Sequence, residues 1–114
     1  MTTPALGQFS ISLAVNDIAK SKKFYETLGF SALTNCGSVA DKWLIMQHPS
    51  CTIGLFEGMF SSNILTFNPS DVRAIEAHLN AHNIEIDSPV TSSKGPGHCM
   101  LKDPDGNVIM FDQH

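Results

Sequence analysis

Asp103-Pro104-Asp105-Gly106-Asn107-Val108-Ile109-Met110-Phe111 is the stretch whose reading decides the fold. Its first four residues suit a type I turn. Asp103 can bond back to the backbone, Pro104 pre-sets φ, and Gly106 sits at the fourth position. A short strand follows, with Ile109 and Phe111 on one face and Val108, Met110 and Asp112 on the other. His98 to Lys102 supply the strand that enters this closing hairpin.

Working outward, residues 9–15 alternate cleanly. Phe9, Ile11, Leu13 and Val15 share one face and Ser10, Ser12 and Ala14 the other, which predicts a strand covered on one side. Asp17 is a good N-cap for a helix whose apolar face holds Ile18, Ser21, Phe24, Tyr25 and Leu28. Gly29 ends it in a left-handed turn, and Phe30 packs back. Strands follow at 31–36, Lys42–His48 and Cys51–Glu57, with His48-Pro49-Ser50 as the turn between the last two. A second cycle starts with a strand at Asn63–Phe67 and a helix from Ser70 to His82, capped by Asn83. Ile84-Glu85-Ile86 and a polar connection, Thr91 to Gly97, lead into the final hairpin.

The two cycles repeat in register. Adding 54 to Asp17, Ile18, Tyr25, Gly29 and Phe30 gives Asp71, Val72, Leu79, Asn83 and Ile84, each of the same physical type. The chain therefore reads as one α+β domain over 1–114, built from two paired βαβββ modules at about 8–57 and 62–113. Their sheets are expected to form a curled, cup-shaped mixed sheet with the helices on its convex side.

Asp-Pro-Asp-Gly before a last strand, together with Phe24-Tyr25 and Leu28-Gly29-Phe30 closing the first helix, resembles the vicinal oxygen chelate superfamily. That group holds glyoxalase I, extradiol dioxygenases and bleomycin-resistance proteins. In its metal-dependent members a glutamate on the last strand binds the metal; here that position is Met110. The resemblance carries the other ligand positions to Ser10, Ser62 (Asn63 if the strand slips by one) and Gly54. A hydroxyl is a poor ligand for a divalent first-row metal, glycine has no side chain, and a thioether prefers soft metals. The expectation is a cup without metal or cofactor. Homodimerisation is implied by the resemblance alone.

Strand alternation assigns the concave lining as Ser10, Ser12, Gly54, Phe56, Ser62, Ile64, Thr66, Val108, Met110 and Asp112, with Trp43 contributing. Apolar walls with sparse hydroxyls suit a small apolar or aromatic compound. The same residues serve equally to fill a closed interior. The leading expectation is sequestration of a small molecule. The alternative is a metal-dependent lyase, isomerase or dioxygenase using displaced ligands such as His48, Glu57, His98 or Asp112.

Asp112 and His98 are the candidates for proton transfer without a metal. Cys99 cannot pair with His98 directly, because neighbours on a strand point to opposite faces. His78 and His82 lie four apart on a helix, without the glutamate of His-Glu-x-x-His or a third ligand. Gly58-Met59-Phe60-Ser61 joins the halves, and an exposed Met-Phe pair there could be an interface. Forty-two per cent hydrophobic and 16% charged residues describe a globular chain. Seven basic against eleven acidic residues leave a net charge of −4 without a basic block, which argues against a nucleic-acid partner. No apolar run reaches the ~20 residues of a membrane helix, and the first residues do not resemble a signal peptide. Three scattered cysteines fit reduced thiols in the cytoplasm.

Overall fold

The structure, a computed structural model, describes residues 3–114. It contains two compact units: Ser10–Asn63, and the residues up to Phe9 together with Ile64–His114. The fold class is α+β, as the sequence predicts.

The Ser10–Asn63 unit runs β1 (Gln8–Val15), α1 (Ile18–Thr27), β2 (Ser31–Ser38), β3 (Trp43–His48) and β4 (Cys51–Glu57). Its strands lie in the order β2-β3-β4-β1. β1 runs parallel to β4 and the other neighbours are antiparallel. Alternation explains the core. Leu44, Met46, Ile53 and Leu55 point to the helix side and are buried with Ile18, with Ile11, Leu13, Val15, Tyr25 and Phe30 packed around them. Asp17 caps α1 by accepting from the Lys20 amide at 3.2 Å. Gly29, at φ +104°, ends the helix, and the Phe30 amide donates back to the Tyr25 carbonyl at 3.0 Å.

Two expectations about this unit fail. Phe24 and Leu28 do not belong to the packed face of α1; they are 60% and 55% exposed. Of the expected apolar stripe, Ile18 and Tyr25 enter the core. Strand β2 also continues two residues further, to Ser38, through a register shift between Ala32 and Gly37.

α1 is also fastened by a residue of β4. One carboxylate oxygen of Glu57 accepts from the Ile18 amide at 3.0 Å and the other meets Lys42 Nζ at 2.9 Å. The Ile18 amide, and next Lys42, hold the Glu57 carboxyl below the usual carboxylate range. A lowered folded-state pKa gives stability that is present above the unfolded value and lost as pH falls through the folded one. We expect wild type to melt above Glu57→Gln at neutral pH, with the gap closing under acid. Melting curves that stay parallel from neutral to acid pH would refute this role.

The second unit runs β5 (Ile64–Asn68), α2 (Val72–Ala81), β6 (Gly97–Lys102) and β7 (Val108–Gln113). β7 lies between a parallel β5 and an antiparallel β6. Val72 and Ile75 of α2 are buried against Cys99, Leu101 and Phe111, with Phe67, Leu79, Ile86 and Ile109 beside them. Asp71 caps α2 through the Ala74 amide, and Asn83 takes the left-handed turn at φ 59°. The Gly106 amide donates to the Asp103 carbonyl at 3.0 Å, closing the Asp103-Pro104-Asp105-Gly106 turn. The Asn107 side-chain amide, first among several donors, holds the Asp103 carboxyl below its usual range.

Ile84-Glu85-Ile86 is not a strand, so among the described residues this unit is one strand short of βαβββ. A single bridge between Ser88 and Met100 stands in its place. The polar connection is held by side chains instead. Arg73 donates to the Ser92 and Gly95 carbonyls, and Glu76 accepts from the Val90 amide at 2.8 Å. Phe9, expected on the covered face of β1, is 49% exposed, with its ring 5.2 Å from that of Phe67.

Candidate functional site

Each sheet has one face under its helix and one face free of it. In the first unit the helix-free face carries Ser10, Ser12 and Ala14 on β1, Thr52, Gly54 and Phe56 on β4, and Trp43, Ile45 and Gln47 on β3. Ser12, Gly54 and Ile45 form one cross-strand row; Ala14, Phe56 and Trp43 form the next. The indole of Trp43 stacks on Phe56 with centroids 6.4 Å apart and planes within 9°. Phe60 completes the cluster at 5.0 Å from Phe56.

The Phe56 ring lies over Gly54. A Cβ added there would sit 2.6 Å from Phe56 Cε2 and 3.3 Å from Ile45 Cδ1. Gly54 is therefore a platform for an aromatic ring, and a side chain at this position has to displace it. Ser12 is 3% exposed and has a polar partner. Replacing it by a bulky residue tests the fold as much as a ligand site.

In the second unit the helix-free face carries Ile64 and Thr66 on β5, Val108, Met110 and Asp112 on β7, and His98, Met100 and Lys102 on β6. Thr66, Met110 and Met100 form one row, and Asp112 stands opposite His98. Ile64 and Thr66 are buried, Val108, Met110 and Asp112 half-buried, and His98 exposed. Cys99 points the other way into the core, where burial pushes its thiol up to about 11, so it is an inert packing group.

Ser62 does not lie on a strand. β5 begins at Ile64, leaving Ser62 and Asn63 exposed ahead of it. Asn63 is engaged instead with β1, its Oδ1 accepting from the Ala14 amide at 2.9 Å. Phe60, expected with Met59 as an exposed pair that could be an interface, is instead half-buried and packs on Phe56. It sits in a connection, and the internal repeat pairs it with Leu6, which lies on the helix side of its own unit.

Of the proposed displaced ligands, Glu57 and His48 are engaged elsewhere, whereas His98 and Asp112 stand opposite each other on β6 and β7. Both Glu57 oxygens are used, as described above. His48 Nδ1 lies 2.8 Å from the Ser50 hydroxyl in the β3–β4 turn, and its ring rests 5.3 Å from Phe30. His78 and His82 stack with centroids 4.4 Å apart, and His82 Nδ1 lies 2.9 Å from the His78 carbonyl oxygen. Among the described residues no three His, Cys, Asp or Glu side chains gather into a donor set.

A family model, the glyoxalase/bleomycin resistance protein/dioxygenase superfamily, matches residues 7–111. This chain belongs to that superfamily. No curated protein matches its sequence. Among solved structures it is similar to a member of the superfamily from Vibrio splendidus 12B01, at 18% identity and a TM-score of 0.72. That alignment covers 94% of this chain and 98% of the other. It is similar to methylmalonyl-CoA epimerase from Mycobacterium tuberculosis, at 14% identity and a TM-score of 0.72, over 99% and 91% of the two chains. It also aligns with the 2,3-dioxygenase LapB from Pseudomonas sp. KL28, at 20% identity and a TM-score of 0.59, over 92% of this chain and 41% of that one. At these identities the likeness establishes a shared fold, and one fold hosts several chemistries.

The metal that many superfamily members use needs imidazole or carboxylate donors. The positions carried over from them hold Ser10, Gly54, Ser62 or Asn63, and Met110. This donor set does not fit a divalent first-row metal, so no step is routed through one.

Proposed function

We propose that this superfamily member is a metal-free binding protein that sequesters a small apolar or aromatic compound. The observation that carries the reading is the aromatic cluster in which Trp43 and Phe60 pack on Phe56, whose ring lies over Gly54. Flat apolar compounds gain by stacking on such rings, and nearby hydroxyls fix their orientation. In the first unit Trp43, Phe56, Gly54, Ser10 and Ser12 carry the proposed contacts. In the second unit Ile64, Thr66, Val108, Met110 and Asp112 offer the corresponding face. The metal-dependent alternative would have to draw its donors from His98 and Asp112, because Glu57 and His48 are engaged elsewhere and the substituted positions supply none.

Among the described residues no helix is long and apolar enough to cross a membrane. A cytoplasmic location belongs to the same proposal, supported by Cys36, Cys51 and Cys99 all being unpaired thiols. A homodimer is part of the same reading.

Trp43 is the single tryptophan, so it reports on its own face. A melting-temperature screen of aromatic metabolites, antibiotics and divalent metals is the direct test. A true ligand at a hundredfold excess over its Kd stabilises the fold by about 2.7 kcal/mol and alters Trp43 emission. Trp43→Phe keeps the melting shift and loses the signal. Retention of one equivalent of a divalent metal through dialysis against a chelator would replace this reading with a metal-dependent one.

A further inference from the structure

The helix-free face of the Ser10–Asn63 unit changes character along its strands. The aromatic row of Trp43 and Phe56 gives way to the Ser12, Gly54 and Ile45 row, and that row to a wholly polar one. In the polar row Ser31, Gln47 and Thr52 stand side by side across β2, β3 and β4. Ser10 and Thr52 each precede the Ile11–Ile53 pair, so Ser10 extends the row onto β1. Among the described residues these four side chains make no hydrogen bond to the rest of the chain. None of the three rows carries Asp, Glu, Lys, Arg or His. At the aromatic end the nearest charges in sequence, Lys42 and Glu57, neutralise each other at 2.9 Å, with Glu57 turned to the Ile18 amide. The second unit differs, because its helix-free face carries His98, Lys102 and Asp112.

Spacing sets the size of an occupant. Rows two residues apart along a strand are separated by about 6.6 Å. Phe56 leans back over Gly54, so its ring already reaches into the middle row. Between that ring and the polar row there is length for one or two fused rings whose substituent ends at Gln47 and Thr52. A charged substituent set against the half-buried Thr52 would give up water without meeting an opposite charge. The Gln47 carboxamide offers a donor and an acceptor side by side, and the Thr52 hydroxyl turns to suit either.

We propose that this face selects an uncharged ligand: a flat aromatic ring bearing a neutral group that both donates and accepts, such as an amide or lactam. The ring lies against Phe56 and the polar group on Gln47 and Thr52. This rests on the reading of the face as a binding surface and adds the property by which it discriminates.

The test uses two probes of one shape, naphthalene carboxamide and naphthalene carboxylate, titrated calorimetrically at neutral pH. Wild type is expected to bind the amide at least about tenfold more tightly than the carboxylate. Gln47→Leu should weaken the amide about fivefold and leave the carboxylate little changed. Gln47→Lys should turn the preference toward the carboxylate. Gln47 is exposed, so both variants should melt with wild type. If they do not, Thr52→Val decides, with the same loss of amide preference. Phe56→Leu should weaken both probes alike, since they share the ring. Equal affinity of wild type for the two probes, or tighter binding of the carboxylate, overturns the selection for an uncharged ligand and leaves the binding surface standing. An amide preference that survives Gln47→Leu and Thr52→Val overturns the placement of the polar end. Wild type that binds neither probe, or binding indifferent to Phe56→Leu, overturns both the selection and the reading of this face as a binding surface.

Discussion

Leu55→Ala is expected to lower stability by about 3 kcal/mol, a large share of the 5–15 kcal/mol that holds a domain of this kind together. Leu55 is fully buried. It sits in the middle of β4 with Leu13 of β1 on one side and Leu44 of β3 on the other. Ile18 of α1 belongs to the same cluster. Both flanking strands are hydrogen-bonded to β4, so they cannot close in on the vacated volume and the cavity persists. Chemical denaturation with wild type as reference measures the loss. A loss below about 1 kcal/mol would mean that the core beneath α1 is not closed. Because Leu55 faces away from Trp43, native tryptophan emission should be unchanged, which separates loss of stability from loss of the candidate site.

Gly37→Ala is expected to damage stability and the aromatic face together. Gly37 holds φ +85° at the irregularity of β2, and a Cβ there would overlap the Trp43 carbonyl and fall 2.9 Å from Trp43 Cδ2. Left-handed backbone costs a side chain about 1–2 kcal/mol by itself. The overlap with backbone adds to that, because β3 is hydrogen-bonded on both sides and yields only by opening the β2–β3 pairing. Gly106→Ala is the matched control, with φ +86° and nothing within 4 Å of the added atom. We expect Gly106→Ala to lose about 1 kcal/mol with normal tryptophan emission. Gly37→Ala should lose at least twice as much, with emission shifted to the red as Trp43 becomes solvated. Equal losses in the two variants would show that the approach of Trp43 to Gly37 imposes no constraint.

The strand faces were legible because alternation has only two settings. Once Ile11, Leu13 and Val15 are assigned to the helix side, Ser10, Ser12 and Ala14 follow, and Cys51–Glu57 reads the same way. The caps at Asp17 and Asp71 were legible for an equally local reason, a side chain bonding an amide three residues on. The failures are of another kind. Phe24 and Leu28 have the composition of a packed stripe, yet whether a stripe is covered depends on what distant parts of the chain place against it. Ile84-Glu85-Ile86 has the composition of a strand, yet the next segment is tied to Arg73 and Glu76, residues distant in sequence. Phe60 lies in a connection, where periodicity carries no information about direction.

By itself the sequence determined the α+β class and the repeat at an offset of 54, and its motifs carried the resemblance to the superfamily. These follow from residue identity and from periods of two and 3.6, which are properties of a chain read locally. Tertiary structure alone decided that Phe56 lies over Gly54, that Phe60 packs on Phe56, and that Leu6 lies against α2 while its counterpart in the repeat, Phe60, packs on the helix-free face. Each of these depends on which distant side chain reaches a given surface first, and close packing settles that only when the whole chain is in place.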